Sequence, residues 1–265
     1  MTRIDATFKR LKARGEKALI PFITAGDPDL PTTRALALEM ARRGADVLEL
    51  GIPFSDPLAD GPTIQAASTR AVQGGVHLPE VLALAGKLRA EMEIPLVLMG
   101  YYNPILQYGL EKTAKNAAAL GVDGFIIPDL PLEEAGPWRR AAARAGVAAI
   151  FLAAPTSGPE RIRKAGHLTR GFLYYVSVTG ITGARTELPP DLVAALQEVR
   201  SLVKCPLAVG FGISTPEQVR WLAPFVDGVV VGSAIVQRVA KLRGNELLAE
   251  VGDFIARLKE PLRGG

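Results

Sequence analysis

Short aliphatic runs alternate with longer amphipathic segments along the chain. The runs lack strict alternation of apolar and polar residues, which is typical of strands that are covered on both faces. Turn residues, mainly Gly and Pro, separate the two kinds of segment. Eight buried strands are therefore predicted, over Ala18–Thr24, Asp46–Ile52, Pro95–Tyr101, Gly124–Pro128, Ala148–Ala153, Phe172–Ser177, Leu207–Phe211 and Gly228–Val231.

The segments between these runs are rich in Ala, Leu and Arg and favour amphipathic helices. Several have a proline in the first turn and a glycine just beyond the last, as helices often do. Pro31, Pro79, Pro159 and Pro216 fit the starting position, and Gly44, Gly121 and Gly146 fit the end. Helices are predicted, for example, over Thr32–Arg43, Pro79–Glu91, Glu133–Ala145, Pro190–Ser201 and Pro216–Ala223.

Three similar phrases occur where a predicted helix leads into a strand. They are Arg-Gly-Ala-Asp-Val at 43–47, Leu-Gly-Val-Asp-Gly at 120–124 and Phe-Val-Asp-Gly-Val at 225–229. A strand followed by a helix, repeated eight times with right-handed crossovers, closes into a parallel (β/α)8 or TIM barrel. The sequence thus predicts an α/β fold with a single domain over residues 1–265. Residues before Lys17 are expected to form an extra N-terminal helix that closes the N-terminal end of the barrel.

An open, doubly wound sheet is the alternative fold for alternating strands and helices. Such a sheet usually has one dominant Gly-rich first turn and an acidic residue farther along the chain. The first turn here is Ala25-Gly26-Asp27-Pro28, which is not of that kind, and no linker divides the chain. The barrel is therefore favoured.

Composition and charge exclude several classes of protein. The net charge is +4, and the basic residues are scattered among acidic ones rather than gathered in a patch for nucleic acid. No apolar stretch approaches the length of a membrane span and no signal peptide is recognisable, so we expect a cytoplasmic protein without membrane contact. Neither Cys205, the only cysteine, nor His77 or His167 has partners at ligand spacing, so no metal site is expected.

Glu49 is the first candidate for chemistry, because barrels place functional side chains at the C-terminal ends of their strands. It lies between Leu48 and Leu50, so alternation turns it away from both leucines and into the barrel. A carboxylate there loses its hydration unless it is paired or takes part in a reaction. A structural ion pair with lysine is the alternative, but Lys17 and Lys204 lie at strand starts. We therefore predict a role in proton transfer.

Asp60 closes the Pro- and Gly-rich loop that follows the same strand. Asp56, which precedes Pro57, fits a simple turn role. Asp60 stands just ahead of the next helix, and at this point two interpretations remain open for it. One is a structural cap and the other is a functional acid in the mouth of the barrel.

Glycine-bearing turns follow the last three strands. They lie at 180–183, 210–214 and 232–234. Backbone N–H groups after the seventh and eighth strands of a barrel, with a helix N-terminus behind them, often bind phosphate. The hydroxyl of Ser233 adds a further donor. We therefore predict that a phosphate group of the substrate binds on this side of the mouth.

Seven segments together resemble the alpha subunit family of tryptophan synthase. The likeness covers nearly the whole chain in the same order, and the segment 48–62 is highly specific by itself. The segments are Pro21–Pro28, Glu49–Pro62, Met99–Pro104, Pro128–Pro131, Ile181–Gly183, Gly210–Ile213 and Gly232–Ala234.

The resemblance implies a lyase of tryptophan biosynthesis that cleaves indole-3-glycerol phosphate to indole and glyceraldehyde 3-phosphate. It implies that Glu49 protonates indole C3 and deprotonates the glycerol hydroxyl, while Asp60 stabilises positive charge at the indole nitrogen. The loops Pro53–Asp60 and Val178–Pro189 would cover the site, with Thr182 reaching Asp60. Phe22, Met99, Tyr101 and Tyr174 match the family's indole pocket, and Gly183, Gly212, Gly232 and Ser233 match its phosphate site.

The same resemblance implies a partner. The family passes indole to a beta subunit that carries pyridoxal phosphate, in a linear αββα heterotetramer, and the alpha subunit itself is expected to need no cofactor. Asp56, Pro57, Asn103 and Pro131 match positions that face the beta subunit. One departure is the stretch Ser177–Gly180, where some relatives carry Arg followed by Ser, and this leaves the dynamics of that loop open.

Three other functions are weighed against this one. A sugar-phosphate aldolase or isomerase would need a lysine at the end of a strand or histidine ligands for a metal, and neither is found. A catalytically silent barrel that only activates a partner would not need both Glu49 and Asp60. A stand-alone lyase that releases indole remains open, because the loop residues favour the partnered form only weakly.

Overall fold

Parallel strands form a closed barrel in the computed structural model, which describes residues 1–176, 191–210 and 212–264. The hydrogen-bonded order is β5-β4-β3-β2-β1-β9-β8-β7-β6, and every pairing is parallel. Because β5 and β6 are two parts of one barrel strand, on either side of Phe151, the order closes on itself. The strands are β1 Ala18–Thr24, β2 Leu48–Gly51, β3 Leu96–Met99, β4 Gly124–Ile126, β5 Ala148–Ile150, β6 Leu152–Ala153, β7 Leu173–Val176, β8 Leu207–Gly210 and β9 Gly228–Val231.

Helices surround this barrel, and the predicted barrel fold is confirmed. The four prolines predicted to start helices each lie in the first turn of one. Gly44, Gly121 and Gly146 follow helix ends with positive φ, as glycine does most readily. The helices are α1 Arg3–Ala13, α2 Leu30–Arg42, α3 Pro62–Gln73, α4 Leu78–Arg89, α5 Tyr102–Tyr108, α6 Leu110–Ala119, α7 Gly136–Ala145, α8 Pro159–Leu168, α9 Leu192–Leu202, α10 Pro216–Leu222, α11 Ser233–Lys241 and α12 Gly244–Lys259.

The extra N-terminal helix lies where the sequence predicts it. Helix α1 is capped by Thr2, whose side chain accepts from the backbone of Asp5, and it buries Ile4, Phe8 and Leu11. These side chains belong to the same cluster as the inward-facing residues of the strands. The helix therefore closes the N-terminal end of the barrel with apolar contacts.

The three repeated phrases share a structural role at this N-terminal end. Each contains an aspartate whose backbone N–H donates to a leucine at the start of the preceding strand, and whose carboxylate accepts the N–H of that same leucine. Each carboxylate also pairs with a cation, so its charge is compensated. The pairs are Asp46 with Leu19 and Lys259, Asp123 with Leu96 and Arg89, and Asp227 with Leu207 and Arg200.

The predicted boundaries differ from the observed ones by a few residues. Strand β2 is shorter than predicted, and Asp46 ahead of it binds Leu19 of β1 through both its backbone N–H and its carboxylate. Helix α2 starts earlier than predicted because Asp29 caps it. Helix α7 starts later, at Gly136. In the part of the chain that the structure describes, no helix is both long and apolar enough to cross a bilayer.

Candidate active site

A cavity of about 450 Å³ opens at the C-terminal ends of the strands. It brings together eight of the residues that the sequence predicts for the site, from β1, β2, β3, β7 and the segments after β8 and β9. No lysine, arginine or histidine is among its described lining residues, which argues against a Schiff-base aldolase. The lining residues are Phe22, Glu49, Asp60, Ile64, Met99, Tyr174, Gly212, Ile213, Val230, Gly232 and Ser233.

Glu49 points into the barrel, as alternation along its strand predicts. Leu48 and Leu50 lie in the outer cluster between the sheet and the helices, while Glu49 is 1% exposed and lines the cavity. Its Oε2 atom has no hydrogen-bond partner among the described residues. Burial first, and the neighbouring Asp60 second, raise the pKa of Glu49 to about 8. The alternative of a structural ion pair finds no support in this environment.

Asp60 lies in the mouth of the barrel at the end of the loop after β2. Burial raises its pKa to about 6, and a hydrogen bond from the Tyr101 hydroxyl partly offsets that rise. The hydroxyl oxygen of Tyr101 and Oδ2 of Asp60 are 3.0 Å apart. Gly61, and not Asp60, is the N-cap residue of α3. Of the two interpretations left open by the sequence, the geometry supports the functional acid.

Two glycines make room for the aromatic walls of the cavity. A side chain at Gly51, the last residue of β2, would come within 2.6 Å of the Phe22 ring. A side chain at Gly210 would overlap the hydroxyl of Tyr174. Both aromatic residues are buried, so they could not move aside without loss of packing. The absence of a Cβ at these glycines thus sets the positions of Phe22 and Tyr174.

Tyr101 is placed differently from its prediction as a wall of the indole pocket. It lies behind Asp60, in a smaller adjoining cavity of about 260 Å³, and is not among the residues that line the large one. Thr24 and Ser68 line the smaller cavity too, and the Oγ1 atom of Thr24 is buried without a hydrogen-bond partner among the described residues.

Several lining residues were missed by the sequence analysis. Val230 could have been predicted, because alternation along Gly228–Val231 turns its side chain into the barrel, as it does for Glu49 on β2. Ile64 and Ile213 lie in segments whose path the sequence does not define. Thr182, Gly183 and the predicted covering loop Val178–Pro189 lie outside the described residues.

The residues predicted to face a partner lie on the surface. Asp56, Asn103 and Pro131 are exposed and Pro57 is half-buried. Near them the large apolar side chain of Leu58 is 92% exposed and that of Leu106 is 48% exposed. The described residues contain no cluster of three or more His, Cys, Asp or Glu side chains that could hold a metal ion.

A buried carboxyl group, Glu49, and a half-buried one, Asp60, beside a glycine-bearing wall in the mouth of a (β/α)8 barrel define an enzyme of the acid–base class. A family model described as tryptophan synthase alpha chain matches residues 8–260. The chain belongs to this family. A tryptophan synthase alpha chain from Citrifermentans bemidjiense is 52% identical over 265 residues, which cover 100% of this chain and 99% of the relative.

Solved structures agree with this assignment. The tryptophan synthase subunit alpha of Legionella pneumophila is 41% identical with a TM-score of 0.91, and the match covers 99% of this chain and 98% of that one. A chain of Mycobacterium tuberculosis tryptophan synthase is 36% identical with a TM-score of 0.91, covering 100% and 99%. The family resemblance is confirmed, and with it the prediction of a lyase of tryptophan biosynthesis.

Proposed function

We propose that the large cavity binds indole-3-glycerol phosphate and breaks the bond between indole C3 and the glycerol chain. The observation that carries the proposal is that Glu49, buried with Oε2 unpartnered among the described residues, and Asp60 line the same cavity. Burial raises the pKa of both, to about 8 for Glu49 and about 6 for Asp60. At neutral pH Glu49 holds its proton while most of Asp60 is ionised. Two acids with separate pKa values in one site are suited to opposite tasks.

Glu49 acts first as the acid. It transfers its proton to indole C3, the ring becomes a cationic indolenine, and the Asp60 carboxylate stabilises the positive charge at the ring nitrogen. Glu49 then accepts the proton of the adjacent glycerol hydroxyl. The electrons of that O–H bond form the aldehyde carbonyl, and those of the broken carbon–carbon bond return to the ring as indole leaves. Each proton transfer contributes about 10²–10⁴-fold to the rate.

The phosphate group binds at the part of the mouth that follows β8 and β9. Gly232 is the N-cap of α11 and Ser233 is its first residue, so backbone N–H groups of the first helical turn are available to an anion. Gly212 has a φ of 80°, which glycine adopts readily, and because it has no Cβ a ligand can approach its backbone closely. Gly183 and Thr182 are proposed to complete the cover, as the family resemblance implies. Binding energy gained at the phosphate positions the bond that breaks.

The indole ring fits the apolar side of the cavity. Phe22, Met99 and Tyr174 provide flat or flexible apolar contacts, and Ile64 and Val230 complete the wall. The ring nitrogen would face Asp60, and C3 would face Glu49. An apolar wall of this kind excludes water from the proton transfers.

The partner we propose is a beta subunit that carries pyridoxal phosphate and receives indole, in an αββα assembly. The support is an exposed surface that contains Asp56, Pro57, Asn103 and Pro131. Leu58 and Leu106 present apolar area on the same segments, and exposed apolar groups among polar ones are typical of contact surfaces. Pyridoxal phosphate belongs to the partner in this proposal, and the residues of this chain need only form and deliver indole.

The test is indole formation from indole-3-glycerol phosphate by the purified chain, alone and with a beta subunit. We expect slow release alone and faster release with the partner. A chain that binds the substrate yet releases no indole under either condition would overturn the proposal. Equal rates with and without a cognate beta subunit would overturn the partner part only and favour a stand-alone lyase.

A further inference from the structure

Tyr101 is buried directly behind Asp60 and outside the cavity that is proposed to bind the substrate. Its hydroxyl accepts a hydrogen bond from the backbone N–H of Ala59, with the two atoms 2.9 Å apart. The same hydroxyl donates to Oδ2 of Asp60 over 3.0 Å. A hydroxyl has one proton, so the bond from Ala59 leaves that proton free for the carboxylate.

The backbone and the ring of Tyr101 are held by neighbouring parts of the barrel. It is the N-cap residue of α5, immediately after Gly100, whose N–H donates to the carbonyl of Ile126 at the end of β4. Its ring packs against Phe54, with the ring centroids 5.5 Å apart. The hydroxyl therefore ties the exposed loop of residues 55–59 to the barrel at the point where the loop reaches Asp60.

We propose that Tyr101 is a positioning residue that holds the Asp60 carboxylate in place and keeps one of its oxygens turned away from the substrate. The inference rests on the proposed function, because Asp60 is the group that it positions. Asp60 sits on a loop and not on a strand, so a fixed hydroxyl behind it supplies the rigidity that loop geometry lacks. The Oδ1 atom is then the one that faces the indole nitrogen.

The bond also has an electrostatic consequence. A donor to a carboxylate favours its ionised form, and this hydrogen bond lowers the pKa of Asp60 against the rise caused by burial. Loss of the hydroxyl would therefore raise the pKa of Asp60. Less of the carboxylate would be ionised near neutral pH, where the proposed mechanism needs it.

The experiment compares Tyr101→Phe with Tyr108→Phe. The control removes the hydroxyl of the last residue of α5, which accepts a hydrogen bond from Asn116 and does not line the cavity. We expect kcat for indole release to fall about 10- to 100-fold in Tyr101→Phe, with KM little changed. The acid limb of its pH profile should move to higher pH. Tyr108→Phe should keep both the rate and the profile of the wild type. An unchanged acid limb in Tyr101→Phe would overturn the proposal, even if kcat were lower.

A second measurement needs no turnover. Carboxyl groups of Asp labelled with ¹³C can be titrated by NMR, and the Asp60 signal is identified as the one absent from Asp60→Asn. We expect the apparent pKa of Asp60 to be higher in Tyr101→Phe than in the wild type. An equal pKa would contradict the hydrogen bond itself. If the wild type failed to release indole but this pKa moved, the proposed function would fall while the role of Tyr101 as the partner of Asp60 would stand.

Discussion

Two buried acids only three positions apart, Asp46 and Glu49, experience opposite environments. Asp46 lies at the N-terminal end of the barrel, where its carboxylate accepts from the N–H of Leu19 and from Nζ of Lys259, both over 2.8 Å. Glu49 lies toward the mouth, with no cation beside it and one oxygen without a hydrogen-bond partner in the described residues. Both are nearly inaccessible to solvent. Burial alone therefore does not distinguish the two acids, but the supply of partners does.

The two acids serve different purposes: Asp46, just before β2, stabilises the fold, and Glu49, within β2, is available for chemistry. At the closed end each carboxylate of the repeated phrases fastens two strands and neutralises a cation. At the open end the fold leaves Glu49 uncompensated, which costs stability and keeps its proton available. In barrels, residues at the N-terminal end generally serve stability and residues at the C-terminal end serve catalysis. Asp46 and Glu49 fit that division.

The largest effect is expected when the mouth is disturbed. Glu49→Gln keeps the shape of the side chain but cannot transfer a proton. The rate of indole release should therefore fall by about 10²–10⁴-fold. Binding of indole-3-glycerol phosphate, measured by calorimetry, should stay close to that of the wild type. Turnover near the normal rate would refute the assignment of Glu49 as the acid.

The corresponding experiment at the N-terminal end of the barrel changes Asp46. Asp46→Asn leaves the buried Lys259 without its nearest charge, and the free energy of unfolding should fall by about 3 kcal/mol. Lys259 keeps the carbonyl of Lys17 and a longer contact with Glu16, so a still larger loss is not expected. Urea denaturation measures the change, and kcat of the folded enzyme should be unchanged. Equal loss of stability in Glu49→Gln would erase the contrast between the two ends.

The pH dependence of stability sharpens the same contrast. Glu49 has a pKa of about 8 when folded and an ordinary value near 4.5 when unfolded, so between these values the folded state binds the extra proton. The unfolded state binds fewer protons there, so the stability contributed by this group falls as pH rises, by at most about 1.4 kcal/mol per pH unit. Urea denaturation of the wild type and of Glu49→Gln is compared from about pH 5 to pH 8. The free energy of unfolding of the variant should rise steadily relative to that of the wild type as pH increases. A constant difference would mean that the pKa of Glu49 is not raised.

The smallest effect is expected on the partner surface. Leu58→Ser removes apolar area from a side chain that is 92% exposed, so stability should change by no more than about 0.5 kcal/mol. Release of indole by the chain alone should be kept, while affinity for the beta subunit, measured by calorimetry, should fall about tenfold. Trp221→Ser is a matched control, since Trp221 is also exposed but lies on α10. An equal loss of affinity for the beta subunit in both variants would contradict the proposal that the surface around Leu58 binds the partner.

Much of the barrel could be predicted from the sequence because its strands are buried on both faces. The runs at Ala18–Thr24 and Gly228–Val231 match the observed strands residue for residue. The bounds of other strands were harder to predict, since Phe151 separates β5 from β6 and Asp46 binds the preceding strand through its side chain. Such departures depend on contacts between segments, which periodicity does not encode.

The site was predictable where a strand fixes the side chain and less so where a loop does. The inward orientation of Glu49 follows from alternation along its strand alone. The position of Tyr101 behind Asp60 does not, because it depends on how the loop at 55–59 folds back toward α5. Thr24 and Ser68 were missed for a related reason, since the small cavity that they line is formed by segments distant along the chain, among them β1, α3 and Tyr101.

The central claim is that Glu49 is a buried acid that still carries its proton at neutral pH. Infrared difference spectra between wild type and Glu49→Gln, recorded across a pH titration, report the protonated carboxyl directly through its C=O stretch. The account predicts a signal that persists at neutral pH and disappears around the pKa of about 8. Its disappearance near the ordinary glutamic acid pKa of 4.5 would contradict the account.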